Sequence, residues 1–318
     1  MKSAPIRFPE PLKEGDTICI IAPATEVKEE YVYGAASMLR NHGYKVILAP
    51  HTLGHVSGTY AAETAARLDD FIAAYSDEEV KCILCARGGY GCIQLLADIP
   101  GSLMFSSPKW IVGFSDVSAL HAMMLRHSIA SLHAGMAKHI FELGFDDDSV
   151  KAAFEIMSCR EPQISYTFPA SDGVSILRSG TACGQLRGGN FAVLNGLAAT
   201  EFDILRIDEG EEVILFLEDI GEAIYEVDRM LWRLYLSGSL SRAKGLIFGS
   251  FSNYRPDKNH PSMEEMIASR LSLWGIDCPV VLRFPFGHED GRNYPLVEGC
   301  PAELRATDDT VTLIQHLR

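Results

Sequence analysis

The sequence predicts an α/β protein in which a mostly parallel sheet flanked by helices is followed by a smaller, mixed α/β C-terminal domain. Short apolar runs alternate with helix-like stretches through the first half, which is typical of a parallel sheet covered on both faces. The first of these runs, residues 16–22, is continuously apolar, as in strands buried on both faces. The chain has 318 residues, of which 47% are hydrophobic, enough for two cores of ordinary size.

Four strand–helix pairs make up the predicted N-terminal sheet. The predicted strands are residues 16–22, 44–48, 80–86 and 110–114, and the predicted helices are residues 29–42, 61–75, 93–96 and 117–126. In sheets of this kind, ligands bind beyond the carboxyl ends of the strands. The glycine-rich loop 87–91 and Ser115 both fall at such ends, which makes them candidates for a functional site.

The C-terminal half is predicted as a separate domain. We predict an N-terminal domain over 1–160, a linker over 161–183 and a C-terminal domain over 184–318, because the middle segment has few long apolar runs and contains several prolines and glycines. Within the C-terminal domain, the patterns predict strands at 213–217, 245–251 and 279–284, helices at 222–236 and 263–273, and a hairpin formed by 302–306 and 310–314.

Charge and motif content exclude several classes of partner. A net charge of −14 argues against nucleic acid and against an anionic membrane surface, since both require a basic face. No segment has signal-peptide or transmembrane character, so we expect a soluble cytoplasmic protein. Cys82 and Cys85 have redox-motif spacing but lie within a predicted strand with no second pair, so we expect no metal and no cofactor.

Three predicted strand ends carry polar residues that a simple scaffold does not require. These are Ser115, the Glu218-Asp219 pair and the Gly287-His288-Glu289 segment. Taken singly, they are also explained as a helix cap, a solvated cap region and a surface loop. Together they supply a nucleophile, an orienting acid and a base in the chain order Ser…Glu…His, which many α/β hydrolases use.

The chemistry of acyl transfer explains why these residue types belong together. A serine hydroxyl is a weak nucleophile and needs an adjacent base, for which imidazole is suited by its ordinary pKa. A carboxylate then fixes the imidazole tautomer. The developing oxyanion needs backbone N–H donors. The loop of Gly88 and Gly89 brings bare backbone close to a substrate, and the N–H of Asp116 is the other natural donor.

The chain resembles the LD-carboxypeptidase family of serine peptidases, which also contains the microcin-immunity peptidases. The resemblance extends from about residue 10 to residue 306. It rests on Gly15-Asp16, Ala22-Pro23, Ala86-Arg87-Gly88-Gly89-Tyr90-Gly91, Gly113-Phe114-Ser115-Asp116, Gly188-Gly189-Asn190, Leu217-Glu218-Asp219, Asp228-Arg229-Met230-Leu231 and Pro285-Phe286-Gly287-His288.

This resemblance implies a fold and a set of roles. The N-terminal domain is expected to resemble flavodoxin-like and glutamine-amidotransferase-like sheets, with the site in the cleft between the two domains and two copies forming a homodimer. The nucleophile falls on Ser115, the acid on Glu218 and the base on His288, and the oxyanion donors are the N–H groups of Gly89 and Asp116. The implied reaction is removal of the terminal D-Ala from murein tetrapeptides in cytoplasmic cell-wall recycling.

A tetrapeptide ends in a carboxylate, which calls for a cation or a ring of backbone donors. Arg87 and Arg187 are candidate partners, although either arginine could equally tie loops together. Gly88 and Tyr90 are further candidates for binding the substrate. The chain departs from the family pattern after Gly287-His288, where Glu289-Asp290-Gly291 replaces the usual glycine, and this departure affects the expected substrate preference.

Three other interpretations remain open from the sequence. One is a microcin-type peptidase of the same family, acting on an aminoacyl nucleotide conjugate. Another is a glutamine-amidotransferase-like enzyme, which requires cysteine where this chain has Ser115. The last is a non-catalytic, two-domain binding protein, for which Ser115 would not react with a fluorophosphonate.

Overall fold

A computed structural model describes residues 5–56, 59–289 and 292–317. The strands are β1 (Thr17–Ile21), β2 (Lys45–Leu48), β3 (Val80–Cys85), β4 (Trp110–Gly113), β5 (Ser131–His133), β6 (Gln163–Pro169), β7 (Ser175–Arg178), β8 (Gly180–Asn190), β9 (Val213–Ile220), β10 (Gly245–Ser252), β11 (Val280–Leu282), β12 (Leu296–Glu298), β13 (Pro301–Ala306) and β14 (Thr310–His316). The helices are α1 (Glu29–Asn41), α2 (Thr64–Ser76), α3 (Ser118–Arg126), α4 (Ala137–Leu143), α5 (Asp148–Ser158), α6 (Phe191–Asn195), α7 (Ile224–Leu236), α8 (Ser239–Arg242) and α9 (Met263–Leu273).

The chain divides into two compact units. The first unit contains the described residues up to Pro162 together with Tyr294–Gly299, and the second contains Gln163–Asn293 and Cys300–Leu317. Within the described ranges, no helix is both long enough and apolar enough to cross a membrane.

The first unit is built on a six-stranded sheet with the order β12-β5-β4-β3-β1-β2. The pairings among β1 to β5 are parallel, and β12 alone joins antiparallel, at the edge beside β5. Every residue of β1 and β4 is buried, which agrees with their continuously apolar sequences. The predicted α/β class and the mostly parallel N-terminal sheet are therefore confirmed.

The second unit contains an eight-stranded mixed sheet with the order β6-β14-β13-β8-β9-β10-β11-β7. Its centre, from β8 to β11, is parallel, and antiparallel strands flank it on both sides. The predicted hairpin is present as β13 and β14. A Cβ at Gly188 would lie 1.7 Å from the carbonyl oxygen of Phe216, so only glycine permits the close approach of β8 and β9 here.

The structure differs from the sequence prediction at the domain boundaries. The segment 161–183, predicted as a linker, contains β6, β7 and the start of β8. In β6, buried and exposed residues are interspersed, so the strand lacks the apolar run by which a central strand is found. Tyr294–Gly299 also belongs to the first unit rather than to the C-terminal domain, because β12 pairs its backbone with β5.

The sheets position the candidate residues at strand ends. In the first unit, β3 and β4 are neighbours, so the loop after β3 and the turn after β4 leave the same edge of the sheet. In the second unit, Glu218 lies near the carboxyl end of the central strand β9, opposite Asn190 of β8. Polar side chains in both units therefore emerge where parallel sheets carry their ligand sites.

Candidate active site

The first unit holds Ser115 in a strained turn between β4 and α3. Ser115 has a φ of +63°, in the left-handed region that L-residues rarely adopt. It opens a single 3-10 turn, Ser115–Val117, before the helix proper. A Cβ at Gly113 would lie 2.9 Å from a methyl group of Val117, so the bend requires glycine there. The chain thus pays a conformational cost to present this hydroxyl, a feature associated with functional sites.

The glycine-rich loop after β3 lies directly against this serine. A Cβ at Gly88 would lie 3.0 Å from Ser115 Cβ and 3.2 Å from its Oγ. Gly89 has a φ of +108°, and a Cβ there would lie 1.8 Å from Thr25 Oγ1. The Thr25 hydroxyl accepts a hydrogen bond of 3.0 Å from the Tyr90 N–H, which fixes the loop. Bare backbone is therefore held beside the Ser115 hydroxyl.

Two backbone N–H groups, those of Gly89 and Asp116, are candidate donors to an oxyanion. Within the part of the chain that the structure describes, neither the Gly89 N–H nor the Asp116 N–H donates a hydrogen bond. Gly89 is exposed and Ser115 is half-buried. Amides left without a partner at a strained serine are the arrangement that an acyl-transfer site uses to bind developing negative charge.

The buried His121 contacts the backbone just before this turn. His121 Nε2 lies 2.8 Å from the Gly113 carbonyl oxygen, and its Nδ1 lies 2.8 Å from Ser131 Oγ. Burial lowers the pKa of His121 to about 4, so the ring is neutral near pH 7. The neutral ring then donates from Nε2 to Gly113 and accepts from Ser131, which ties α3 and β5 to the residue that precedes the turn.

The second unit brings Glu218 and His288 together. His288 Nδ1 lies 2.6 Å from Glu218 Oε2. The carboxylate is fully buried, with 0% of its side chain exposed, whereas 15% of the His288 side chain is exposed. The carboxylate therefore fixes the orientation of the imidazole through Nδ1.

Gly287 and Ser250 position the loop that carries His288. A Cβ at Gly287 would lie 2.9 Å from Glu218 Oε2 and 2.7 Å from Ser250 Oγ. The Ser250 hydroxyl accepts a hydrogen bond from the Glu289 N–H, and Asn293 Oδ1 accepts one from the Gly287 N–H. Of the segment Glu289-Asp290-Gly291, which departs from the family pattern, the structure describes Glu289. Asp290 and Gly291 fall outside the described residues.

A second buried carboxylate lies beside Glu218. Asn190 Nδ2 is 3.3 Å from both Glu218 Oε1 and Asp219 Oδ1, so it bridges the two groups. Asp219 also accepts hydrogen bonds from the N–H groups of Ala192 and Ile220, each at 2.8 Å. Burial, followed by the nearby Glu218 charge, raises the pKa of Asp219 to about 7.

The candidate substrate-binding residues have contrasting surroundings. Arg87 is exposed and donates one hydrogen bond to the Glu26 carbonyl oxygen, and Tyr90 has 58% of its surface exposed. Arg187 is buried and forms an ion pair of 2.8 Å with Glu211. As a carboxylate ligand, Arg187 would have to exchange this partner for the substrate. The roles of these residues stay predictions.

Sequence reasoning assigned no role to several residues that support the site, namely Thr25, His121, Asn190, Ser250 and Asn293. Asn190 alone had a sequence signal, since it ends the Gly188-Gly189-Asn190 motif. The others are single polar residues in otherwise ordinary segments, and only their contacts in the fold distinguish them.

A strained serine beside free amides in one unit, and a buried Glu–His pair in the other, are the elements of a serine-type hydrolase. Comparison with known proteins gives the family. Residues 18–134 match the LD-carboxypeptidase N-terminal domain, and residues 183–304 match the LD-carboxypeptidase C-terminal domain. The chain belongs to the LD-carboxypeptidase family and is a serine-type carboxypeptidase.

Individual relatives cover nearly the whole chain. A carboxypeptidase-named protein of Synechocystis is 33% identical over 99% of this chain and 100% of its own. The murein tetrapeptide carboxypeptidase of Pseudomonas aeruginosa is 28% identical over 85% of this chain and 87% of its own. The crystal structure of muramoyltetrapeptide carboxypeptidase from Oxalobacter formigenes superposes with a TM-score of 0.81 at 28% identity, covering 94% of this chain and 98% of its own.

Proposed function

We propose that this carboxypeptidase removes the terminal D-Ala from murein tetrapeptides, at the bond after an L-configured residue, by Ser115–His288–Glu218 acyl-enzyme chemistry. The proposal extends the activity named for the relatives to this chain. It includes a role in cell-wall recycling, a cytoplasmic location and a homodimeric state. The small muropeptide is the partner, and neither nucleic acid nor a membrane takes part.

The observation that carries the proposal is the 2.6 Å contact between His288 Nδ1 and the buried Glu218 carboxylate. A buried carboxylate is costly unless it is paired, and this one is directed at a partly exposed imidazole on a glycine-supported loop. A simple scaffold has no need for such a pair, whereas a general base needs an orienting carboxylate.

In the proposed reaction, His288 Nε2 removes the proton from Ser115 Oγ while that oxygen attacks the scissile carbonyl carbon. The Gly89 and Asp116 N–H groups bind the resulting oxyanion. When the tetrahedral intermediate collapses, the C–N bond breaks and His288 gives its proton to the amine of the departing D-Ala. A water molecule, deprotonated by His288, then hydrolyses the ester and regenerates the Ser115 hydroxyl.

Of the two arginines, Arg87 is better suited to bind the substrate's terminal carboxylate. Its guanidinium is exposed and, among the described residues, engages one backbone carbonyl, so it retains donors for a bidentate contact. Arg187 already directs two nitrogens at Glu211. In this proposal Arg187 holds the β8 region, and Tyr90 contributes aromatic surface to the substrate.

Mass spectrometry of defined muropeptides tests the proposed function. The wild-type enzyme is expected to remove one alanine from the tetrapeptide and to leave the pentapeptide intact. Ser115→Ala should lower the rate by about 1,000-fold or more while retaining the fold. Full activity in Ser115→Ala would overturn the mechanism, and cleavage of an aminoacyl nucleotide conjugate in preference to tetrapeptide would overturn the substrate.

A further inference from the structure

Arg67 of α2 is a buried arginine whose guanidinium is fully engaged. Only 1% of its surface is exposed. Its nitrogens donate to five acceptors, which are Ala62 O at 2.9 Å, Pro23 O at 2.6 Å, Gly91 O at 3.1 Å, Thr64 Oγ1 at 3.2 Å and Gln94 Oε1 at 2.5 Å. Its charge also lies 5.0 Å from the ring centroid of Tyr60. All five N–H donors of a guanidinium are thereby matched by acceptors.

These contacts connect two loops at the active-site edge of the sheet. Pro23 follows β1, and Gly91 closes the loop after β3 that contains Gly88 and Gly89. Gly91 has a φ of +142°, and a Cβ there would lie 2.7 Å from Arg67 Nη1. The loop and the guanidinium are thus packed in direct contact, and burial lowers the pKa of Arg67.

Asp116 holds the same loop from the side of the serine. Its buried carboxylate accepts a hydrogen bond of 2.8 Å from the Cys92 N–H, one residue beyond Gly91. Burial raises the pKa of Asp116, while the Cys92 N–H and the Arg67 charge act in the opposite direction. Asp116 therefore has two roles in the local structure, since its side chain anchors the loop and its backbone N–H lies next to Ser115.

We propose that Arg67 is a positioning residue that sets the placement of the Gly89 N–H relative to the Asp116 N–H, and so determines how well the oxyanion is bound. The inference rests on the proposed function, because it assigns the oxyanion to these two amides. Arg67 touches no reacting atom. It acts through Gly91, which it holds by the carbonyl oxygen, while Asp116 holds the next residue by its N–H.

The expected effect follows from the demands of oxyanion binding. Donors must lie about 2.7–3.1 Å from the oxyanion, and removing one costs about 100- to 1,000-fold in kcat. Loosening the loop displaces the Gly89 donor without removing it, so the loss should be smaller. Lysine in place of Arg67 keeps the charge but is a compact point donor that cannot hold both loops at once.

Arg67→Lys tests the proposal through the separate effects on kcat and KM. With murein tetrapeptide as substrate, kcat is expected to fall about 10- to 100-fold while KM changes less than about 2-fold. A boronic acid analogue of the acyl part, whose tetrahedral adduct places an oxygen in the oxyanion site, should lose affinity by the same factor. Binding of the tripeptide product should stay unchanged.

Lys109→Met is the matched control. Lys109 is also buried, and its amine donates to the carbonyl oxygens of Ala74 and Asp77 at the other end of α2. Its loss should lower the melting temperature while kcat stays within about 2-fold of wild type. If Lys109→Met lowers kcat as much as Arg67→Lys does, the effect is one of general stability and the proposal is overturned.

Gln94→Leu provides a second variant in case Arg67→Lys does not fold. It removes one of the two acceptors of Arg67 Nη2 from a half-buried position, so a smaller loss of kcat with unchanged KM is expected. Unchanged boronate affinity in a folded variant of either residue would overturn the role of Arg67. Such a result leaves the proposed function intact if Ser115→Ala is inactive, whereas failure of the wild type to cleave tetrapeptide would overturn both.

Discussion

Ser115 is held in place by an unusual backbone conformation, whereas His288 is held by a buried carboxylate. The serine has a φ of +63°, packs against Gly88 and is supported by the neutral ring of His121. The His288 imidazole instead contacts the buried Glu218 carboxylate, which shares Asn190 with Asp219. The proposed nucleophile therefore depends on backbone conformation, and the proposed base depends on its contact with a buried carboxylate.

Among the tests of this comparison, the largest expected effect comes from disturbing the Glu218–His288 pair through Gly287. In Gly287→Ala, the new methyl group would lie 2.9 Å from Glu218 Oε2 and 2.7 Å from Ser250 Oγ. Because a displacement of about 1 Å in a catalytic group costs about 100-fold, kcat should fall by about that factor. The measurement is kcat on tetrapeptide together with urea unfolding.

Gly210→Ala is the control for this prediction. Gly210 has a φ of +85°, and a Cβ there would meet no heavy atom within 4 Å. Both variants carry the strain of a left-handed alanine, about 1 kcal/mol, but only Gly287→Ala disturbs the pair. Equal kcat values in the two variants would contradict the assignment of His288 as the base.

Much of this arrangement was accessible from the sequence, because parallel strands end in a recognisable way. The apolar runs before Ser115 and Glu218 are continuous, so the change to polar residues marks the strand ends. The resemblance then joined them to His288. Asn190 was given no role because its strand, β8, is rich in glycine and polar residues. It therefore lacks the apolar run by which a strand and its end are recognised in the sequence.

The buried face of α2 shows where sequence reasoning stops. By their spacing, Leu68, Phe71 and Ile72 share one face of this helix, but Arg67 and Asp70 are among its most buried residues. Burial of a guanidinium depends on acceptors from loops far away in sequence, such as Pro23 O and Gly91 O. No local period encodes those contacts, and for the same reason the φ of Ser115 and the pKa of Asp219 follow only from the fold.

Two buried groups, His121 in the first unit and Asp219 in the second, give stability opposite dependences on pH. Burial lowers the pKa of His121 from 6.5 to about 4, so stability from this group is present above pH 6.5 and is lost as pH falls towards 4. Burial and the Glu218 charge raise the pKa of Asp219 from 3.8 to about 7, so stability from that group is lost as pH rises from about 4 to 7.

Substituting these two groups should separate the opposing slopes. Urea unfolding at several pH values from 4.5 to 7 is the measurement. Relative to wild type, His121→Gln should lose less stability as pH falls, and Asp219→Asn should lose less stability as pH rises. Across this pH range the change in the free energy of unfolding should differ from that of wild type by a few kcal/mol, at about 1.4 kcal/mol per unit of pKa shift. Parallel pH profiles for wild type and both variants would contradict the stated protonation of the two groups.

The smallest expected effect concerns the strain at Ser115 itself. Glycine adopts a φ of +63° without the steric penalty that serine or alanine carries, so Ser115→Gly should be about 1 kcal/mol more stable than Ser115→Ala, although both lack the proposed nucleophile. Ser118, three residues further on, has a φ of −53° in the α-helical region and supplies the control. There the order should reverse, with Ser118→Gly less stable than Ser118→Ala by about 0.5–1 kcal/mol, because glycine in an ordinary helical conformation only adds entropy to the unfolded chain. Urea unfolding of the four variants measures both differences. The same order at both positions would mean that the turn at Ser115 is unstrained, and that the surroundings of this serine do not depend on backbone conformation.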